Sequence, residues 1–131
     1  MTLEAGLTHR IDVPVTEDLT ADRFGNAGFP VLATPALVGL MERCCIAAIA
    51  PLLEAGRGSV GTHIALDHLA ATPVGMTVAI TCTLTVVDRR SLEFTLEASD
   101  GADVIGRATH RRAVIETAKF LDRVAAKRVV G

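Results

Sequence analysis

The sequence predicts an α+β fold in which an antiparallel sheet wraps around one apolar helix. Three observations lead there. "VLATPALVGLMERCC", residues 31–45, is apolar on nearly every helical face, and a helix of that kind belongs inside a protein. "MTVAITCTLTVV", residues 76–87, sets Met76, Val78, Ile80, Cys82, Leu84 and Val86 on one side and mostly Thr on the other, the period of a half-buried strand. The links "DRR" and "SDGAD" that follow are hairpin-sized, so the strands they join are antiparallel neighbours.

The elements follow in chain order. "LTHRIDVPV" (7–15) reads as a first strand, and Thr16 to Phe29, rich in Gly, Asp and Asn, as a loop. Thr34-Pro35 gives a hydroxyl cap and a proline at the first helical position. The helix runs to about Ala50, and Pro51 to Gly61 turns the chain. "THIALDHLAA" (62–71) places Ile64, Leu66 and His68 on one face. "SLEFTLEAS" (91–99) points Leu92, Phe94 and Leu96 inward, and "DVIGRATHRRAVI" (103–115) is a less regular last strand. "ETAKFLDRVAAKRV" suits an amphipathic helix. The four later strands are expected to form a meander that curls over the central helix, a hotdog-like arrangement. Such a sheet has open edges, so a homodimer is expected.

A chain of 131 residues is expected to be one domain, 1–131. Half its residues are apolar, there is no Trp or Tyr, and four Phe leave an aliphatic core. A formal charge of −2 gives no footprint for nucleic acid. No apolar run is expected to reach the ~20 residues of a membrane span, and the N-terminus lacks the basic-then-apolar order of a secretion signal. A cytoplasmic protein is the simplest reading. Cys44, Cys45 and Cys82 show no paired spacing and are expected to be inert core residues. No cofactor is called for.

One residue breaks the apolar helix. Glu42 has Val38, Gly39, Cys45 and Ile46 as its helical neighbours, and an unpaired carboxylate there is costly. His68 shares the inward face of its strand. A Glu and a His facing one space form an acid–base pair, and Thr34 adds a hydroxyl beside the free amides of a helix start, which can hold an oxyanion. "GRGSVG" (56–61) matches a dinucleotide fingerprint only in letters: a helix precedes it and a strand follows, the reverse of the required order. Its glycines are expected to make a turn with amides open to a ligand.

The stretch "ATPALVGLMERCCIAAIAPLLEAGRGSVGTHIALDHLAATPVGMTV" resembles the fluoroacetyl-CoA thioesterase family of hotdog proteins. The matching elements are "VGLME", "AP-L", "G-GS-GT" and "H-AATP-G", with "DGADVIGRATHRRAVI" and "KF" further on. The resemblance implies hydrolysis of a short acyl-CoA, with Thr34, Glu42 and His68 as catalytic residues. It also implies that Phe29, in a lid segment "RFGNAGFPVL", and Gly61 meet the substrate. Arg111 and Arg112, with Lys119, are candidates for the CoA phosphates at the cleft mouth. An acyl-CoA-binding module without activity and an enoyl-CoA hydratase are the alternative readings. His63, Asp67 and Arg43 depart from the family pattern, and the lid carries extra Gly and an Asn, so weaker selectivity for fluoroacetyl-CoA is expected.

Overall fold

A computed structural model describes residues 2–130. The chain forms strands β1 (Thr8–Pro14), β2 (Arg57–His68), β3 (Thr77–Asp88), β4 (Ser91–Ser99) and β5 (Val104–Glu116), a long helix α1 (Thr34–Ile49) and a C-terminal helix α2 (Thr117–Val130). The five strands make one antiparallel sheet in the order β1-β3-β4-β5-β2. The sheet curves over α1, as the apolar helix and the alternating strands require.

The core is the seam between them. Val78, Ile80, Cys82 and Leu84 of β3 face Leu37, Met41 and Cys44 of α1, all fully buried. Truncating Leu37 or Met41 to Ala would cost about 2–5 kcal/mol through lost burial and the cavity left behind. The three cysteines are free and buried. The Cys82 thiol and burial raise Cys44 far above its ordinary value. Cys82, drawn down by Cys44 but pushed up by Cys45 and by burial, stands at about 12. Neither forms a thiolate at neutral pH.

The structure corrects four expectations. The strands are not a simple meander, because β2 lies beyond β5 rather than beside β3. The link 69–76 is too long for a tight hairpin and crosses the start of α1. There the Leu32 amide donates to the Thr72 carbonyl at 2.8 Å, and the Thr72 hydroxyl donates to Asp100 at 2.9 Å. Residues 57–61 belong to β2 instead of a turn; the turn is made by Gly56, at φ +81°. Counted with the 3-10 turn after it, the apolar run Thr34–Leu52 is 19 residues, long enough by length and composition for a membrane span. It is instead the central helix of the sheet. The wrapping is also incomplete: Pro35, Gly39, Arg43, Ile46 and Ala47 leave one stripe of α1 exposed.

The loop before α1 is more structured than its composition suggests. It holds 3-10 turns at Glu17–Leu19 and Ala21–Phe24. It closes on itself through Ala21 N–H to the Val31 carbonyl at 2.8 Å and Gly28 N–H to the Asp22 carboxylate at 2.8 Å.

Candidate active site

α1 and β2 run side by side in opposite directions, and every candidate catalytic residue lies along that seam. At the start of α1 the Thr34 Oγ1 is 2.8 Å from His68 Nδ1. The expected cap is therefore not made. Ala33 occupies the N-cap position, Thr34 is the first helical residue, and its hydroxyl is spent on His68. The first intrahelical bond is Leu37 N–H to the Ala33 carbonyl at 3.0 Å, so the amides ahead of it have no acceptor within the helix. His68 Nε2 is buried and has no hydrogen-bond partner among the described residues. Burial also pushes the His68 imidazole below its ordinary value, with the Ala70 backbone offsetting part of the effect. His68 is thus a neutral base with one nitrogen held and the other free.

Two turns further along α1 stands Glu42, with its side chain 37 % exposed. Its partner is Arg112, whose Nη1 donates to Oε2 at 3.1 Å. Arg112 is itself fixed: Nε donates to Ser59 Oγ at 2.9 Å, Nη2 to the Ser59 carbonyl at 3.1 Å, and Nη1 also to His110 Nε2 at 3.1 Å. His110 Nδ1 lies 2.7 Å from the His63 carbonyl. That nitrogen carries the proton, which leaves Nε2 to accept from Arg112. Burial, with Arg112 adding to it, keeps His110 below its ordinary pKa. A neutral His110 at 3.7 Å from Glu42 is no ion pair; it holds Arg112, and Phe94 packs behind it with ring centroids 6.3 Å apart.

A bulge in β2 brings Gly61 into this group. The β2–β5 register slips between Gly61 and His63, and the extra residue, Thr62, donates through its hydroxyl to the Arg111 carbonyl at 3.2 Å. One extra residue reverses the alternation. Gly61 on one side of the bulge and Ile64, Leu66 and His68 on the other thereby share the concave face. Glu42, Gly61, Ile64 and His110 line an open pocket of about 290 Å³ together with Thr62 and His63.

The structure thus brings Thr34 and His68 together and places Glu42 with Gly61. It does not join the pairs: among the described residues Glu42 makes no contact with His68 within 4.0 Å. Arg112 was expected at the cleft mouth. It is only 3 % exposed and its donors are taken, because it neutralises Glu42. Arg111 points outward on the convex face, Lys119 pairs with Glu116 at 3.0 Å, and Phe29 is 55 % exposed on the loop. Sequence reasoning missed His110 and Ser59. The signal for His110 was the alternation of β5, which puts it with Arg112 on the inward face; Ser59 gave none, since the Thr62 bulge reverses the alternation of β2.

A curved antiparallel sheet around a central helix, with a Thr–His pair and a carboxylate on the helix seam, defines a hotdog-fold thioesterase. The family model for fluoroacetyl-CoA-specific thioesterases matches residues 15–118, and the chain belongs to that family. A fluoroacetyl-CoA thioesterase from Streptantibioticus cattleyicolor is 50% identical over 106 residues, 80% of this chain and 76% of the relative. A solved structure of the fluoroacetyl-CoA thioesterase FlK superposes with a TM-score of 0.92 at 42% identity, over 97% of this chain and 98% of that one. A hot-dog-like protein from Thermanaerovibrio acidaminovorans shares the fold, with a TM-score of 0.88 at 22% identity over 94% and 91% of the two chains.

Proposed function

We propose that this chain is an acyl-CoA thioesterase that hydrolyses short acyl-CoAs, fluoroacetyl-CoA among them, to the free acid and CoA. The observation that carries this reading is the Thr34–His68 hydrogen bond at the start of α1, with Nε2 of a neutral His68 buried and unpartnered. Membership of the family supports it.

The chemistry is addition of an oxygen nucleophile to the thioester carbonyl, loss of the C–S bond, and delivery of a proton to the departing thiolate. Glu42 supplies the oxygen, either from a water it holds or from its own carboxylate, the anhydride so formed then being hydrolysed by water to the free acid. His68 takes the proton from water and returns it to sulfur. Thr34 holds the imidazole in place, and the amides at the start of α1 receive the oxyanion. Arg112, His110 and Gly61 aim Glu42.

The working form in this reading is a homodimer of single-domain chains in the cytoplasm. Thr34 and Glu42 are about 12 Å apart along the helix axis, at 1.5 Å per residue. One chain alone therefore separates the carboxylate from the base. The outer edge of β2 is unpaired. Antiparallel pairing of two β2 edges about a two-fold axis near Ala65, with the Thr62 bulge making up one residue, sets Gly61 opposite the partner's His68. Glu42 of one chain then faces the Thr–His pair of the other, and the exposed stripe of α1 is covered. Incubating the protein with a series of acyl-CoAs and assaying free thiol tests the activity. Acetyl- and fluoroacetyl-CoA should both release thiol, and no release from any acyl-CoA would end the thioesterase reading.

A further inference from the structure

The two outer strands of the sheet are built differently. β1 ends on Pro14, and proline is one of the residues that blunt a sheet edge. β2 runs for 12 residues without a proline. Its convex face exposes His63, Ala65 and Asp67. His63 and Asp67, two of the residues that depart from the family pattern, flank Ala65 symmetrically. In the proposed homodimer, with its two-fold axis near Ala65, His63 of each chain lies directly opposite the partner's Asp67. The rows continue inward on the same face. Arg111 of β5 stands beside His63 and Arg107 beside Asp67. Glu93 of β4 stands beside Arg111 and Glu97 beside Arg107, the last two paired at 3.4 Å. Each row across the dimer then reads Glu93, Arg111, His63, followed by the partner's Asp67, Arg107 and Glu97. We propose that His63 and Asp67 form two symmetric cross-strand pairs between copies of this chain, and that these pairs set the register in which two β2 edges meet.

Three features support the assignment. The first is reach. Directly opposed residues of an antiparallel pair have β-carbons about 4.5–5.5 Å apart, close enough for an imidazole to meet a carboxylate. Neutral, His63 donates a hydrogen bond to the partner's Asp67; protonated, it forms an ion pair. Neither side chain makes an ion pair among the described residues of one chain. The second is self-complementarity. Charges on an edge strand usually keep a second copy away, but these two groups attract in this register. A slip of two residues sets His63 or Asp67 against Ala65, and a slip of four sets Asp67 against Asp67 or His63 against His63. A slip of one moves them off the shared face. The third is coincidence with the site. The register that joins His63 to the partner's Asp67 is the one that sets Gly61 opposite the partner's His68.

The proposal rests on the homodimer reading, and the experiment separates the two. Charge is reversed in two separate chains. In a dimer of Asp67→Arg chains the introduced guanidinium faces His63, with Arg111 behind it, in both rows. In a dimer of His63→Glu chains two carboxylates face each other in both rows. Mixed, the two chains join opposite charges everywhere: the introduced glutamate meets the introduced arginine in one row, and His63 meets Asp67 in the other. By sedimentation equilibrium each variant alone should self-associate at least about tenfold more weakly than the wild type, because symmetry doubles each change. The equimolar mixture should form heterodimers with a Kd within about threefold of the wild-type value. Variants that dimerise alone as tightly as the wild type, or a mixture no tighter than its components, overturn the pairs and leave the homodimer standing. A wild type that sediments as a monomer at micromolar concentration overturns the homodimer and the pairs with it. Should a reversal variant fail to fold by circular dichroism, Asp67→Asn, which keeps the shape and removes the charge, decides the matter. A Kd raised at least about threefold supports the pairs, and an unchanged Kd overturns them.

Discussion

A β-carbon placed on Gly61 would lie 2.5 Å from Oε2 of Glu42 and 3.2 Å from the His110 ring. The Glu42 carboxylate therefore rests against bare backbone, and any side chain at position 61 displaces it. Gly61→Ala should leave the fold intact, since the crowded atom is the end of a movable side chain. It should lower kcat/KM by roughly 10²-fold, the cost of moving a reacting group by about 1 Å. Thermal melting beside steady-state kinetics checks this. A folded variant with wild-type kcat would mean that the Glu42 position does not matter.

The proposed site shared between two chains predicts complementation. Glu42→Gln and His68→Ala should each lower kcat by roughly 10²-fold or more. Mixed and allowed to exchange subunits, the two inactive proteins should regain about a quarter of wild-type activity, because half the dimers are mixed and each carries one intact site. A site built within one chain gives no recovery at all.

Arg112 is predicted to matter for both stability and activity. Arg112→Met removes the cation beside Glu42 and leaves His110 Nε2 and Ser59 without their donor. A loss of about 1–3 kcal/mol is expected in denaturant unfolding, below the full value for a buried pair because Glu42 is partly solvated. Adding Glu42→Gln should restore part of that loss, and the double-mutant cycle should give a coupling of at least about 0.5 kcal/mol. Additive effects would show that the 3.1 Å contact carries no energy.

Much of this arrangement was readable from the residues, and the exceptions have physical causes. The apolar helix and the alternation from Val78 to Leu84 placed helix inside sheet, because burial imposes those periods directly; Val86, expected on the same face, is 40% exposed beyond a register shift after Leu84. Strand order was not readable, since nothing in "LAATPVGM" says that it crosses the helix until Thr72 is seen bonded to Asp100. Glu42 stood out as a misfit, but its partner lies 70 positions away, beyond any local pattern. The Thr62 bulge was equally invisible. It reverses the alternation of β2, and without it Gly61 would face away from Glu42.

Two histidines, His110 buried and His68 half-buried, predict the acid sensitivity of the fold. Burial lowers His68 and His110 from the ordinary value of 6.5. Below that value the unfolded chain binds protons that the folded chain refuses, so stability falls as pH drops through 6.5 and keeps falling to the depressed folded values. Unfolding free energy measured from pH 7.5 down to pH 5 should show this decline. His110→Gln, which can still accept from Arg112, should flatten it by up to one proton's slope. An unchanged slope in that variant would show that His110 is not the titrating group.

Selectivity is where this chain should differ most from the family name. Acetyl and fluoroacetyl groups differ by one fluorine, and one small group in a pocket is worth about 1–3 kcal/mol. Larger discrimination needs either chemistry that fluorine enables or a lid that excludes water. The residues proposed for the first are Thr34, Glu42 and His68. The loop that would provide the second closes on itself, through Gly28 and Asp22 and through Ala21 and Val31. It leaves Phe24 and Phe29 more than half exposed, at 53% and 55%. A lid whose aromatic side chains face solvent contributes little to shielding the acyl carbon. The ratio of kcat/KM for fluoroacetyl-CoA over acetyl-CoA, measured side by side, is therefore expected to stay within about 10²-fold, the reach of pocket contacts. A ratio above ~10⁴ exceeds what those contacts supply, and would require this loop to fold over the bound acyl group in spite of its internal bonds.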